Sequence, residues 1–302
     1  RRASEAAPNR DKTMRVAAVQ MVSSHVVQDN LDQAAELIRQ AALDGAELVV
    51  LPEYFCLLGH KDTDKLQIQE QYIESGYAET ADFSHISAPI QHFLATQAKQ
   101  AGIWLAGGSL PLTLAGDASG SEQPKAQVRN STLVYSPDGN CVARYDKMHL
   151  FSFDNGHERY DESRCLQAGT APVAFDLPSR DGHTWRVGLG ICYDLRFPEL
   201  FRALNAELLL LPSSFTYTTG QAHWQVLMRA RAIENLAYLL APAQGGTHSN
   251  GRRTWGHSLA IDPWGTVLAE KAEGMGVVVA DVDIAQLRAF RQQLPALTHR
   301  VL

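Results

Sequence analysis

The sequence predicts an α/β protein in which strand–helix–strand units are combined with antiparallel hairpins. Apolar runs alternate with segments of helical periodicity in the first third of the chain, and hairpin signals dominate the middle and the end. The chain has 302 residues, of which 45% are hydrophobic and 20% charged. This composition is typical of a globular protein, and we expect a single domain with a large core.

The first unit has the order strand, helix, strand. Residues 14–20 and 47–53 are apolar runs typical of strands, and residues 29–46 carry apolar side chains at helical spacing. Asp29 and Asn30 are the expected cap of this helix, because short polar side chains accept hydrogen bonds from the first N–H groups of a helix. The pattern therefore predicts a β-α-β start.

The pattern repeats once and then changes. A second helix is expected over residues 85–100 and leads to a strand within residues 103–110. Residues 131–147 contain two alternating runs around a Pro-Asp-Gly turn, which indicates an antiparallel hairpin. The polar connection of residues 151–172 is longer than most loops of a compact domain, so we expect it to be functional.

The last part of the chain combines strand–helix units with antiparallel hairpins. Strands are expected in residues 184–191, 207–214 and 236–244, with a short helix from Pro198 and an amphipathic helix over residues 222–235. Further hairpin-like pairs are expected in residues 257–271 and 276–282.

Charge and composition argue against several classes of protein. The formal net charge is −6 and the basic residues are scattered, which is not the pattern of a nucleic-acid-binding protein. No apolar run is long enough to span a membrane, and residues 1–13 are not signal-like, so we expect a cytoplasmic protein with no membrane partner. Residues 1–13 are predicted to be a disordered leader, either native or left by cloning. We expect the four cysteines to be free thiols.

Cys192 is the first candidate for chemistry. It follows an apolar strand and precedes a predicted turn and helix, a place where a strand end can present a nucleophile beside backbone N–H groups. Taken alone, it is better explained as a small buried side chain, because free cysteine is among the most buried residue types. A nucleophilic cysteine needs a base, because its ordinary pKa leaves little thiolate at neutral pH.

Two charged residues are the better partners for Cys192. Glu53 ends an apolar strand directly after a proline, where a buried carboxylate could serve as a base. Lys147 is flanked by apolar residues and could stabilise an oxyanion; the simpler alternatives are a solvated strand end and a lysine reaching to water. A papain-like arrangement would use a histidine instead, and no local signature distinguishes the candidates His149, His157, His223 and His257.

Three fragments in order resemble the Glu-Lys-Cys triad segments of the nitrilase superfamily of carbon-nitrogen hydrolases. They are LPEYF with Glu53, YDKMHLF with Lys147, and GICYDLRFPEL with Cys192, and the similarity extends over nearly the whole chain from Met14. The resemblance implies a four-layer α-β-β-α sandwich over residues 14–302 that pairs into a homodimer or a larger homo-oligomer. It also implies a second glutamate in the connection, which is Glu162 in YDES.

The resemblance further implies an amidase reaction through a Cys192 thioester. Glu53 would act as the base, and Lys147 with the Tyr193 backbone N–H would stabilise the oxyanion. Glu162 would position Lys147 or the attacking water. The reaction requires no metal or organic cofactor, and the histidines show no metal-ligand spacing.

The substrate is expected to be a small-molecule amide. The run after Cys192 resembles the amidase branches that act on deaminated glutathione and on ω-amides of 2-oxo acids, and the later run SSFTYTTGQAHWQVLMRARAIEN favours the first. Such substrates carry carboxylates, so Arg196 is the expected carboxylate-binding residue unless it pairs with Asp194 or Glu199. Other expected lining residues are Tyr217, Thr218 and His223.

Several alternatives remain at this stage. An ω-amidase, an aliphatic amidase or an N-carbamoyl hydrolase would use the same triad with different pocket residues. A binding or scaffold protein of the same fold would show a substituted triad, whereas all three residues are present here.

Overall fold

The computed structural model describes residues 12–74, 88–113 and 127–302. Residues 1–11 of the expected leader lie outside the described residues. None of the helices in the described ranges is both long and apolar enough to cross a membrane. The helices of these ranges are Val27–Leu43 (α1), Pro89–Ala101 (α2), Pro198–Leu204 (α3), Tyr217–Asn235 (α4) and Ile284–Gln293 (α5).

The strands are mostly short and alternate with these helices or with turns. In the first half of the chain they are Met14–Gln20 (β1), Leu48–Val50 (β2), Trp104–Ala106 (β3), Leu110–Thr113 (β4), Val128–Tyr135 (β5), Cys141–Asp146 (β6), Ser152–Asp154 (β7) and Arg159–Asp161 (β8). In the second half they are Ala174–Pro178 (β9), Thr184–Leu189 (β10), Leu208–Leu210 (β11), Tyr238–Ala241 (β12), Gly245–Thr247 (β13), Arg253–Trp255 (β14), Ser258–Ile261 (β15), Val267–Lys271 (β16) and Gly276–Val282 (β17).

Two large sheets organise the described part of the chain. Seven of its strands form the first sheet, in the order β17-β1-β2-β3-β5-β4 with β6 added beside β5. Another six form the second sheet, in the order β16-β15-β12-β11-β10-β9. Strands β1, β2 and β3 run parallel, as do β10, β11 and β12, while the hairpin partners are antiparallel.

The sheets pack face to face with helices on both outer sides. Side chains alternate along β1, so Val16 and Ala18 join the core shared with the second sheet, while Ala17 and Val19 face α1 and α2. Helices α3 and α4 cover the other face of the second sheet. The four-layer α-β-β-α sandwich implied by the resemblance is confirmed.

The expected cap of α1 was wrong. The helix begins at Val27, and its preceding residue, Val26, makes no capping hydrogen bond with its side chain. Asn30 is buried on the second turn, and its side-chain amide donates to the carbonyl oxygens of Ser24 and Cys56 at 2.9 Å each. These two hydrogen bonds join the segment before α1 to the segment after β2. Asn30 therefore does not cap the helix.

Other boundaries also differ from expectation. Helix α4 begins five residues earlier than residues 222–235, because the Thr216 hydroxyl accepts a hydrogen bond from the Thr219 N–H and starts the helix at Tyr217. Strand β17 does not form a hairpin with β16 but pairs antiparallel with β1 at the other end of the chain. The expected start of α2 at His85 lies outside the described residues.

Candidate active site

Glu53 lies just beyond the end of β2, in the first sheet. Strand β2 is buried on both sides, and Pro52 ends its pairing, so the chain carries Glu53 into the interior with only 1% of its surface exposed. The Asn130 side-chain amide on β5 donates to Glu53 Oε1 at 3.0 Å. The Gln244 amide donates to the Glu53 carbonyl oxygen at 3.2 Å, so backbone and side chain are both fixed.

Lys147 follows β6 and lies directly opposite Asn130. Its backbone N–H donates to the Asn130 carbonyl oxygen at 2.9 Å, which continues the β5–β6 ladder by one residue. The ammonium group is 1% exposed and donates to Glu53 Oε1 at 3.0 Å and to Glu162 Oε2 at 2.8 Å. A buried cation is thus held between two carboxylates.

Glu162 comes from the long polar connection, which the sequence predicted to be functional. The segment forms the small hairpin of β7 and β8, and Glu162 follows it in a short 3₁₀ turn. The Phe151 N–H donates to Glu162 Oε2 at 2.7 Å, and the Tyr54 hydroxyl donates to Oε1 at 3.1 Å. These contacts fix the second carboxylate against Lys147.

Cys192 stands where β10 gives way to a 3₁₀ turn, Cys192–Arg196. Its backbone N–H donates to the Pro212 carbonyl at 2.9 Å, which joins the turn to the end of β11. Its φ is +48°, a left-handed value that is uncommon for residues other than glycine. The side chain is buried and lines the same cavity as Glu53, Lys147 and Glu162.

The environment shifts the pKa values of the Glu53 and Glu162 carboxyl groups in opposite directions. Burial raises the pKa of Glu53, and the Glu162 charge adds to this effect while Lys147 opposes it. Burial works against ionisation of Glu162 too, yet Lys147 and Lys65 hold its pKa below the usual value. Glu162 is therefore the anion that balances Lys147, and Glu53 is the group able to take up and return a proton.

The pKa values of the Cys192 thiol and the Lys147 ammonium are also shifted. Burial raises the pKa of the Cys192 thiol well above its usual value, and the neighbouring Glu53 carboxylate raises it further. Burial alone would lower the pKa of Lys147, but Glu162 and Glu53 together raise it well above the usual value. The resting site therefore holds a neutral thiol beside a permanent positive charge.

The described residues around this cluster form one cavity. Arg196 lines it, as the sequence predicted, and is not paired with Asp194 or Glu199; its guanidinium lies 3.3 Å from His223 Nδ1. The cavity is lined by Glu53, Tyr54, Asp62, Lys65, Lys147, Phe151, Tyr160, Asp161, Glu162, Cys192, Tyr193, Arg196, Ser214, Phe215, Thr216, Thr219 and Arg252.

Three predicted lining residues are not among those that line the cavity. Tyr217 packs its ring against Trp255, Thr218 donates to Glu158 at 3.0 Å on the surface, and His223 is exposed beside Arg196. At the start of α4 the residues that line the cavity are instead Thr216 and Thr219.

The histidine alternative for the base receives no support. His149 donates to or accepts from Asp194 at 2.7 Å and stacks on a phenylalanine, and His257 pairs with Glu270 at 2.6 Å. His157 and His223 are exposed. None of these four residues lines the cavity that contains Cys192. In the described ranges, no group of three His, Cys, Asp or Glu side chains is arranged to hold a metal ion.

Sequence reasoning missed several residues of the site. Asn130, Tyr54, Lys65, Tyr160 and Arg252 contact the catalytic cluster or line the cavity. Tyr54 lies in a loop, Lys65 in a short 3₁₀ helix, and Tyr160 and Arg252 in short hairpins, all without a local pattern. The signal for Asn130 was available, since its place opposite Lys147 follows from the hairpin register.

Comparisons with known proteins agree with this geometry. A family profile described as "Carbon-nitrogen hydrolase" matches residues 15–292. The chain is 38% identical over 290 residues to a protein of Synechocystis named deaminated glutathione amidase, covering 94% of this chain and 97% of that protein. It is 34% identical over 292 residues to the human omega-amidase NIT2, covering 95% of each.

A solved structure shows the same fold. The Saccharomyces cerevisiae protein Nit3, described as a member of branch 10 of the nitrilase superfamily, superposes with a TM-score of 0.79 at 28% identity. The superposition covers 96% of this chain and 97% of that one.

Proposed function

Because this chain belongs to the carbon-nitrogen hydrolase family and is an amidase of the nitrilase superfamily, we propose that its substrate is deaminated glutathione. The products would be 2-oxoglutarate and cysteinylglycine. The reaction would remove a by-product of glutathione metabolism, which makes the enzyme one of metabolite repair. The name of the Synechocystis relative supports this substrate.

The observation that carries the proposal is a set of basic side chains that line the cavity, beside Asp62 and Asp161, without forming a salt bridge. Lys65, Arg196 and Arg252 all line it, and within the described ranges none of the three forms an ion pair with a carboxylate. Lys147, by contrast, is balanced by two carboxylates. Cations left unpaired beside a nucleophile favour an anionic substrate. Deaminated glutathione carries two carboxylates, and 2-oxoglutaramate carries one.

The first half of the reaction forms a thioester. Glu53 accepts the Cys192 proton as Sγ attacks the amide carbonyl carbon, because the raised thiol pKa keeps the proton on sulfur until that moment. Lys147 and the Tyr193 N–H stabilise the oxyanion, with about 3–4 kcal/mol expected for each donor. The carbon–nitrogen bond then breaks, and Glu53 returns its proton to the departing amine.

The second half releases the acid. Glu53 accepts a proton from water as the water attacks the thioester carbon, and the same Lys147 and Tyr193 groups hold the second oxyanion. Collapse of this intermediate breaks the carbon–sulfur bond, and Glu53 returns the proton to Cys192. Glu162 keeps Lys147 in place through both steps, since it accepts from the ammonium at 2.8 Å.

We also propose that the enzyme works as a homodimer in the cytoplasm. Val226 and Ile233 lie seven residues apart on α4, so they share one face, and they are 64% and 43% exposed. Trp264, close to Ile233 in the β15–β16 turn, is 51% exposed. These apolar side chains support an interface through α4. Light scattering of the purified protein would give the mass in solution.

The test of the proposed substrate is a comparison of kcat/KM values. Purified protein would be given deaminated glutathione, 2-oxoglutaramate, a simple aliphatic amide, an N-carbamoyl amino acid and a nitrile. We expect the highest kcat/KM for deaminated glutathione, measured as 2-oxoglutarate release. A higher value for 2-oxoglutaramate would favour the ω-amidase alternative, which the similarity to human NIT2 supports. A higher value for any other compound would reject both.

A further inference from the structure

A ladder of three aromatic rings forms one wall of the cavity. The Tyr193 and Phe151 ring centroids are 5.2 Å apart, and those of Phe151 and Tyr160 are 5.7 Å apart. A guanidinium lies over each end of the ladder: Arg196 is 5.7 Å from the Tyr193 ring, and Arg252 is 5.1 Å from the Tyr160 ring. The two cations are thus separated along a continuous apolar surface.

The Arg252 end of the ladder is firmly built. The Arg252 N–H donates to Asn250 Oδ1 at 2.9 Å, and its carbonyl accepts from the His248 N–H at 2.8 Å. The Asn250 amide in turn donates to the Gly59 carbonyl at 2.8 Å, which ties this turn to the loop after Glu53. The backbone is fixed, while the guanidinium has no carboxylate partner in the described part of the chain.

We propose that Arg252, stacked on Tyr160, binds the terminal carboxylate of the leaving group. This inference rests on the proposed function, because it assigns one subsite to each carboxylate of deaminated glutathione. Arg196 lies over the ring of Tyr193, the residue after Cys192, so it is assigned the 2-oxo acid carboxylate, which is the nearer of the two carboxylates to the reacting carbon. The cysteinylglycine side extends two residues beyond the reacting nitrogen, or about 7 Å, which carries its carboxylate along the ladder and away from Cys192.

Lys65 is less suited to this role. Its ammonium lies 4.7 Å from the centre of the Tyr54 ring and 3.4 Å from the Tyr54 hydroxyl, which itself donates to Glu162. The Lys65 charge therefore acts on Glu162, through the Tyr54 hydroxyl that both residues contact. Asp62 also lines the cavity, and its charge works against a bound carboxylate, so Asp62→Asn should lower KM for deaminated glutathione.

The experiment compares three substrates with Arg252→Leu and Arg253→Leu. The substrates are deaminated glutathione, the same compound with its glycine carboxyl converted to an amide, and 2-oxoglutaramate. Loss of a hydrogen bond to a charged group corresponds to about a 10- to 100-fold loss of kcat/KM. We expect Arg252→Leu to show this loss with deaminated glutathione and a much smaller loss with both other substrates. Wild-type enzyme should discriminate against the amidated compound by a similar factor.

Arg253 is the matched control. It is adjacent in sequence, about half exposed, and paired with Glu273 at 2.8 Å outside the cavity. Its removal should leave all three kcat/KM values unchanged. Arg252→Lys should recover part of the activity lost in Arg252→Leu, which a misfolded variant would not permit.

The outcomes separate the subsite from the proposed function. If wild-type enzyme does not prefer deaminated glutathione, the proposed function fails. If it does, but Arg252→Leu lowers kcat/KM equally for all three substrates or for none, the function stands and the assignment of Arg252 is overturned.

Discussion

The Lys147 ammonium nitrogen lies 3.0 Å from Glu53 Oε1, although 94 residues separate the two and both side chains are almost fully buried. Glu162 closes the cluster from the other side at 2.8 Å. The fold thus places one cation between two carboxylates whose pKa values are shifted in opposite directions. In the proposed mechanism, acid–base function falls to Glu53 and charge balance to Glu162.

Removal of the cation should damage both stability and activity. In Lys147→Met two buried carboxylates lose their counter-ion, and breaking a buried ion pair costs about 3–5 kcal/mol of unfolding free energy. Urea unfolding at pH 7 measures this cost, with Cys192→Ala as the inactive variant that leaves the charges in place. The cost should shrink as the pH falls through the carboxyl pKa values. A cost that does not depend on pH would contradict the charge argument.

Glu162→Gln should move the acid limb of the pH profile to lower pH. The negative charge of Glu162 raises the pKa of Glu53, and the substitution removes that charge. It also leaves Glu53 as the only carboxylate paired with Lys147, so both effects lower the Glu53 pKa. Because the base must be ionised to accept the thiol proton, kcat/KM should persist to more acidic pH than in the wild type.

The matched control for Glu162→Gln is Glu36→Gln on the exposed side of α1, where Glu36 pairs with Arg39. This control should have the wild-type profile. An acid limb that stays in place or moves upward in Glu162→Gln would show that Glu53 does not control it.

Asn130 should be more important for activity than for stability. Its amide and the Lys147 ammonium both donate to Glu53 Oε1, and the Glu53 carboxyl lines the same cavity as the Cys192 thiol. Among the residues that the structure describes, none donates a hydrogen bond to the buried Asn130 Oδ1 atom, and this is unfavourable for folding. Asn130→Leu removes the unpaired oxygen, so we expect kcat to fall about tenfold or more while thermal stability is retained or increased. A parallel loss of stability and kcat would indicate a purely structural residue.

The backbone of Cys192 should accept glycine. Its φ of +48° costs a residue with a side chain about 1–2 kcal/mol relative to a right-handed conformation. Cys192→Gly should therefore be at least as stable as Cys192→Ala, although both are inactive. In the helix interior the exposed Ala222→Gly should instead lose about 1 kcal/mol. Equal losses at both positions would exclude strain at the nucleophile.

The sequence could predict the candidate catalytic residues because three fragments in order together resemble the triad segments of the nitrilase superfamily, whereas each residue alone is better explained by a structural role. Glu53 and Cys192 each follow an apolar run, Lys147 follows the predicted hairpin, and Glu162 lies in a connection too long to be a simple loop. Errors arose where long-range contacts override local preference. Asn30 reads as a helix cap but is satisfied by Cys56, and β17 reads as a hairpin strand but pairs with β1.

The aromatic ladder and the arginines at its ends could not be predicted in the same way. Tyr160 and Arg252 are 92 residues apart and lie in short irregular hairpins, so only the folded chain reveals their contact. The sequence instead favoured Tyr217, Thr218 and His223, which are near Cys192 along the chain. In the folded chain Thr216 and Thr219 line the cavity at this end of α4, and these three residues do not.

Trapping of the acyl-enzyme tests the central claim most directly. Wild-type protein would be mixed in excess with deaminated glutathione, and the reaction would be quenched with acid at successive times. The mass of the peptide containing Cys192 would then be measured by mass spectrometry. The account predicts a 2-oxoglutaryl group on Cys192 that appears and decays within one turnover, with no turnover by Cys192→Ala. Undiminished turnover by Cys192→Ala, or an acyl group on another residue, would contradict it.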